Sequence, residues 1–422
     1  MTWSKNPFLK LTLGAGLVGV VLFVRMTLTK EPVEAKFETK WWEFQSIDTM
    51  KYSRDPAWEK LNDPTFDAVI DRQVKQIAET GATHVAIATP YDEQFLPMLK
   101  RWVAVARKYG LKVWFRGNFS GWERWFGYGP ISREEHVAQT KSFIEAHGSL
   151  FENGDVFSAC PECENGGPGD PRLNGDVEGH RQFLIEEYGV MRDAFRRIDR
   201  DVRVNFNSMN GDVARLVMDE ETTKALGGVV VIDHFVRTAE KMEADILALA
   251  ESSGGKIVLG EFGAPIPDIH GNLSQEEQAL WLEEVLKRVA RMPEVVGVSY
   301  WTGVGGSTEL WDVNGTARLG AATLTSFYSP NVASGVVQNE LGRPIAEALV
   351  STADRGASTS EQGWFYLPYL SGTETVTVKA EGYVPQTLTM IEVLTTSTIR
   401  LEKETLDLRF RLRQLFADIF PF

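Results

Sequence analysis

Between residues 37 and 328 short apolar runs alternate with stretches of helical period, and this alternation constrains the fold more than any other feature of the chain. The apolar runs are residues 83–89, 111–116, 155–160, 202–207, 228–233, 256–261 and 295–301, with a further strand expected within 37–46. Runs of this length, bounded by glycine or polar turns, read as strands buried on both faces. Helical stretches lie between them at 66–80, 93–109, 132–147, 177–198, 212–226, 238–252 and 274–291. Gly81 and Gly110 stand where helix-stopping glycines belong. Ser132 with Glu135, and Ser274 with Glu277, have the spacing of capping boxes. Eight strands alternating with helices over about 290 residues is the pattern of a (β/α)8 barrel. A doubly wound open sheet shares the alternation, but no G-x-G-x-x-G or P-loop sequence follows any run.

Two of these runs end in glutamate. Glu162 follows residues 155–160, the fourth strand, and Glu261 closes 256–261, the seventh. In a parallel barrel the carboxyl ends of all strands open on one face, where active sites are built. Two carboxylates facing one pocket there are the equipment of glycoside hydrolysis, one as acid/base and one as nucleophile. Taken singly, each also reads as a solvated loop residue. The composition agrees with a sugar substrate. Lys+Arg 44 against Asp+Glu 58 gives 44 − 58 = −14, which argues against a nucleic-acid partner and leaves a neutral glycan open. Ten of the twelve tryptophans lie between residues 41 and 311, and flat aromatic faces suit sugar rings as well as protein cores.

The ends of the chain have a different texture. Residues 11–24 are apolar, with Lys5 and Lys10 before them and Arg25 and Lys30 after. The segment reads as a signal anchor or a cleaved signal peptide, though no A-x-A-like cleavage site follows it. Residues 1–35 are accordingly expected to tether an extracytoplasmic barrel at 36–328, or to be removed on secretion. A linker is expected at 329–334. Short alternating strands then appear at 335–338, 344–350, 363–367, 374–380 and 397–401, the pattern of a small β-sandwich over 335–403. Residues 404–422 fit a last strand, a docking segment or an amphipathic helix. Cys160 and Cys163 flank Glu162; a local disulfide, a redox pair and a metal site all fit a CxxC, but there is no second CxxC and no H-x₃₋₅-H for zinc.

With these residues in view, 37–328 resembles clan A of the retaining glycoside hydrolases, a group of (β/α)8 barrels that includes many cellulases and mannanases. The resemblance implies that Glu162 is the acid/base and Glu261, followed by Phe262 and Gly263, the nucleophile. It also implies a β-linked oligo- or polysaccharide substrate and no cofactor or metal. Glu164 is the rival acid/base. The clan closes its fourth strand with Asn-Glu, whereas Pro161 precedes Glu162 here, removing the residue that normally holds the sugar 2-hydroxyl. Trp301 resembles the tryptophan flooring the subsite of the cleaved sugar, and His234 stands where the clan often has His-x-Tyr. Arg116, Asn118 and Asn207 are further candidate sugar contacts, and Trp122 and Trp125 candidate outer platforms. Gly335-Val-Val, residues 342–350, Gly363-Trp and residues 380–383 resemble the carboxypeptidase regulatory-like domain, which implies a prealbumin-type sandwich and no particular activity. Three readings therefore stand: a retaining glycosidase, an inactive glycan-binding barrel, and a CxxC redox or metal protein.

Overall fold

A computed structural model of the chain describes residues 39–404. Eight parallel strands form one sheet in the order β4-β3-β2-β1-β8-β7-β6-β5. They are β1 (Phe44–Asp48), β2 (His84–Ile87), β3 (Lys112–Phe115), β4 (Val156–Phe157), β5 (Ser208–Asn210), β6 (Val229–Asp233), β7 (Lys256–Phe262) and β8 (Val295–Tyr300). The ends of that order meet through the chain entering β5. Phe157 N–H donates to the Arg203 carbonyl at 2.8 Å, and Arg203 N–H to that of Asp155 at 2.9 Å. The sheet is thereby closed into a (β/α)8 barrel. Residues 202–207, expected as the fifth strand, supply this closing bridge, and the regular pairing to β6 falls on Ser208–Asn210 instead.

The expected helices stand at Asp67–Glu79, Leu96–Lys108, Arg133–Ala146, Val177–Arg197, Ala239–Ser253 and Gln275–Ala290. Ser274 and Glu277 form the reciprocal capping box. The stretch 212–226 is divided into Gly211–Val217 and Glu220–Ala225. Asp219 takes extended backbone there and accepts from Thr222 N–H, which starts a new helix. The last helix, Leu319–Tyr328, is fastened to β1 by the Tyr328 hydroxyl, which donates to the Ser46 carbonyl at 2.7 Å.

Two-residue alternation along the strands places the site. Phe44, Trp114, Phe206, Val231 and Val258 point inward and pack as one apolar cluster, the first three meeting edge to face at 5.0–5.8 Å. Ile47, Val113, Phe115, Ile232 and Leu259 belong instead to the large core shared with the helices. On the inward register, beyond the apolar layer, come Asp48 of β1, Arg116 just after β3, and Asp233 of β6. Strict alternation from Val258 would turn Glu261 outward. The β6–β7 pairing shifts after Ile232, so Asp233 faces Glu261 rather than Gly260, and such a bulge re-aims a side chain. Gly260 makes this possible, because a Cβ there would stand 2.5 Å from Asp233 Oδ1.

Beyond the barrel, strands β9 (Asn331–Asn339), β12 (Trp364–Tyr369) and β15 (Thr398–Leu401) form one sheet. Strands β10 (Leu349–Ser351), β11 (Gly356–Ser358), β13 (Thr375–Lys379) and β14 (Gln386–Thr389) form the other. Val337, Val350, Phe365, Leu367, Val376 and Ile399 pack between them. Residues 331–334, expected as linker, are instead the first half of β9, paired with 366–369 of β12; Ala333 is buried and its neighbours alternate outward, which is strand chemistry. Arg291 Nε donates to Asp354 Oδ1 at 2.8 Å between barrel and sandwich. No helix among the described residues is long and apolar enough to cross a membrane. The apolar segment at 11–24 and the tail from 405 onward lie outside the described residues.

Candidate active site

The carboxyl ends of the strands carry an unusual density of charge around one guanidinium. Arg116 is 1% exposed and lies 4.8 Å over the Trp114 ring, on top of the inner apolar layer. Its Nη1 donates to Glu261 Oε1 at 2.5 Å and to Asp48 Oδ2 at 3.2 Å. Its Nη2 donates to Asp233 Oδ2 at 2.6 Å and to Ser208 Oγ at 3.1 Å. Arginine suits this place because its donors are fixed in one plane and reach several acceptors together. Burial works against its charge, but Asp233, Glu261 and Asp48 outweigh that and raise its pKa. One positive charge cannot neutralise three carboxylates. Burial pushes Asp48 up to about 6, against the pull of Arg116. Asp233, whose Oδ1 is buried without a partner, is pushed well above the usual carboxylate range by the same cause. Burial also raises Glu261, Arg116 opposing it and the Glu162 charge adding to it.

Glu162 sits in the loop after β4, with φ +50° and ψ 51°. A side chain other than glycine in that left-handed region costs on the order of 1 kcal/mol and is often found where function fixes the backbone. The conformation is held by Glu162 N–H, which donates to the Ser208 carbonyl at 2.8 Å. The side chain is half-buried; burial raises its pKa, Arg116 lowers it and Glu164 raises it. Glu164 is only 3% exposed and is held apart: its Oε1 accepts from Asn210 N–H at 2.7 Å and Asn210 Nδ2 at 2.9 Å. Cys160 and Cys163 are joined by a disulfide across Glu162, so neither is a free thiol.

Of the other expected site residues, some gather here and some do not. Asn118, at the end of β3, donates from Nδ2 to Glu123 Oε1 at 2.8 Å. Asn207 is 8% exposed, beside Ser208, and its amide nitrogen has no partner. Trp301 is half-buried at the end of β8, edge-on to Phe235 at 5.9 Å, with Lys51 Nζ 5.6 Å from its ring. Trp125 is half-buried beneath the Arg54 guanidinium at 5.0 Å, and Arg54 in turn lowers Glu162 and Glu261. His234 is tied away to Asp245 Oδ2 at 2.9 Å, and burial lowers its pKa.

Trp122 does not form a platform. It is 1% exposed, stacked on Phe183 at 5.1 Å and 13°, and 4.4 Å from the His136 ring. Gly167 lets the β4 loop lie flat on it, since a Cβ there would meet the indole at 2.1 Å. Trp122→Ala is therefore expected to cost about 3–5 kcal/mol of stability, read as a lower urea midpoint; an unchanged midpoint would return Trp122 to the surface. An open tryptophan of the barrel is Trp58, in the short helix Ala57–Lys60 after β1, 52% exposed and stacked with Phe126 at 6.1 Å. Asp48, Glu123, Asp233 and Trp58 were not singled out from the sequence. Asp233 ends the apolar run 228–233 just as Glu261 ends 256–261, so the same signal marks it, whereas Asp48 follows Phe44-Gln-Ser-Ile, beyond the strand expected within 37–46.

No protein-family model and no curated protein matches this chain. Among solved structures, GH5_18 from Bifidobacterium longum subsp. longum is similar over 72% of this chain and 85% of its own, at 17% identity and TM-score 0.51. A variant of it in complex with Manβ1-4GlcNAc gives 72%, 84%, 15% identity and 0.50. At these identities the likeness is one of fold: this barrel has the architecture of the GH5_18 structures.

Proposed function

We propose that the protein is a retaining glycoside hydrolase that cleaves a β-linked glycan through Glu261 and Glu162. The observation carrying this reading is that both glutamates stand at the carboxyl ends of barrel strands, close enough for the charge of one to raise the other, with Arg116 bonded only to Glu261 of the two. That asymmetry separates their roles. Arg116 favours the ionised form of Glu261, which attacks the anomeric carbon as the C1–O bond breaks. Glu162 lacks that bond, keeps its proton more readily, and delivers it to the departing oxygen. It then takes a proton from water, whose oxygen attacks C1 and releases Glu261. Asp233 shares the Arg116 guanidinium with Glu261 and Asp48.

Pro161 leaves the sugar 2-hydroxyl without its usual asparagine. We assign that contact to Asn207, whose buried amide would gain a partner from a sugar oxygen. Trp301 floors the subsite of the cleaved sugar, and Trp58 with Trp125 supplies outer stacking. The Manβ1-4GlcNAc complex of the GH5_18 fold neighbour makes β-mannosides the first substrates to test.

The test is Glu162→Gln beside Glu164→Gln. Glu162→Gln is expected to lose about 10²–10⁴-fold on glycosides with poor leaving groups, to keep turnover on dinitrophenyl glycosides, and to be rescued by azide with a β-azide product. Glu164→Gln should stay within about tenfold of the parent, since Glu164 is committed to Asn210. If Glu164→Gln shows the azide pattern instead, the acid/base assignment moves to it. An inverted product anomer would end the double-displacement reading. Binding of mannan by calorimetry with no turnover of any glycoside would select the inactive-barrel reading, which the loss of the asparagine at Pro161 favours.

A further inference from the structure

Glu261 and Glu162 are held in different ways. Glu261 lies in a seven-residue strand and is gripped at its carboxylate by Arg116. Glu162 stands in residues 158–170, between the two-residue β4 and the short helix Pro171–Asn174. That stretch has one 3-10 turn, Cys163–Asn165, and no strand or α-helix of its own. A reacting group carried on such a loop needs another means of being fixed. Misplacing it by about 1 Å costs on the order of 10²-fold in rate.

Here the means is covalent. Cys160 and Cys163 are joined by a disulfide, with Cα atoms 5.1 Å apart, and enclose only Pro161 and Glu162. Four residues with ends this close form a β-turn. Proline, which locks φ at about −65°, takes its second place. Glu162, at φ +50°, takes the third, as in a type II turn, where the positive φ ordinarily calls for Gly or Asn. A glutamate would not by itself hold that shape, and the bond between its neighbours closes the turn around it. The ring is also anchored on both sides of β4. Asn118 Nδ2, just after β3, lies 3.6 Å from Cys160 Sγ, and Asn118 Oδ1 is fixed by His136 Nε2 at 2.8 Å. Glu162 N–H donates to the Ser208 carbonyl of β5 at 2.8 Å. Both cysteines are buried, whereas thiol–disulfide exchange needs an accessible sulfur. The pair is a fixed part of the turn rather than a redox couple.

We propose that Cys160 and Cys163, with Pro161, are positioning residues for the proton donor: their ring holds the turn in the shape that presents the Glu162 carboxyl to the departing oxygen. Pro161, standing where clan A barrels have asparagine, thereby has a role of its own. Stabilisation by a disulfide grows with the length of loop it closes, so a ring of four residues acts locally and adds little to the whole fold. The proposal rests on the glycosidase reading for what Glu162 does with its proton, but not for the geometry of the turn.

The experiment compares the full chain with Cys160→Ser/Cys163→Ser, and with Pro161→Ala, which keeps the disulfide and frees one φ. Alkylation in guanidinium without reductant first counts thiols; none is expected in the parent, and two would overturn the proposal. Hydrogen exchange across residues 158–167 then reads the turn without any substrate, through the Glu162 N–H bonded to Ser208. Exchange there is expected to quicken by about tenfold or more in the double variant and by less in Pro161→Ala, with the peptides carrying Arg116 and Glu261 unchanged. On glycosides with poor leaving groups kcat should fall by about 10–10²-fold in the double variant, with KM held. Dinitrophenyl glycosides, whose departure needs no proton, should be turned over at close to the parent rate. Unmoved exchange at Glu162 overturns the proposal, and so does an equal loss on both classes of leaving group, which is what a general loosening gives. If the double variant does not fold, Pro161→Ala decides by the same two readings. Quickened exchange at Glu162 in a chain whose parent turns over no glycoside upholds the clamp and removes the glycosidase reading instead.

Discussion

Glu261→Gln is expected to abolish turnover on every glycoside, by on the order of 10⁴–10⁶-fold, while the protein stays folded. An amide can accept the Arg116 hydrogen bond that Glu261 Oε1 accepts at 2.5 Å, but it offers no lone pair basic enough to form the glycosyl ester. Changing the leaving group cannot compensate, because bond formation at C1 is what has been lost; Glu162→Gln differs in this respect. Stability should hold or rise, since one of three carboxylates crowded on Arg116 loses its charge. Intact-mass spectrometry after treatment with a 2-deoxy-2-fluoro glycoside reads the same point directly. The parent chain gains one glycosyl mass, located by peptide mapping on Glu261, and the variant gains none. Labelling at any other residue, or residual turnover in Glu261→Gln, would displace Glu261 as nucleophile.

The parts of this arrangement that the sequence makes visible are those with a period. Strand runs of buried aliphatic residues and helices with capping residues can be read because each repeats a local rule, and the carboxylates at strand ends follow from the barrel. Asp233, at the end of the run 228–233, could have been read in the same way, and what hid it was the choice of glutamate as the residue sought; Asp48 was hidden because the polar Gln45 and Ser46 break the apolar pattern of β1. The bulge that turns Glu261 inward is different. It depends on the β6–β7 register, set by partners across the sheet, and Gly260 is the only local trace of it. Glu123 and Trp122 lie in an aperiodic loop, where an acid and an aromatic read as exposed. Their burial comes from Gly166 and Gly167, some forty positions away, letting a second loop lie against them. The division of 212–226 was lost because a polar residue on the exposed face of a helix and a new N-cap look alike until Asp219 takes extended backbone.

The largest effect on stability is expected at Arg116. Replacing it with methionine leaves Asp48, Asp233 and Glu261 buried together with no cation, and removing one partner of a buried ion cluster costs about 3–5 kcal/mol. The sign of its pH dependence follows from the carboxylates. Asp48, Asp233 and Glu261 already lie above their usual range in the parent protein, raised by burial and held down by Arg116. Without Arg116 their folded-state pKa values rise further above the unfolded ones. A group raised in this way favours the fold fully below its unfolded pKa and loses that contribution as pH climbs through the folded value. The deficit of Arg116→Met should therefore be largest at pH 7–8 and shrink as pH falls towards the unfolded carboxylate values of about 4. Urea denaturation of parent and variant across this range measures the difference directly. A deficit independent of pH would mean that Arg116 acts through its packing over Trp114 rather than through its charge. The same protonation removes the nucleophile, so activity at neutral pH should fall together with stability, and raising the pH should restore some turnover while further weakening the fold.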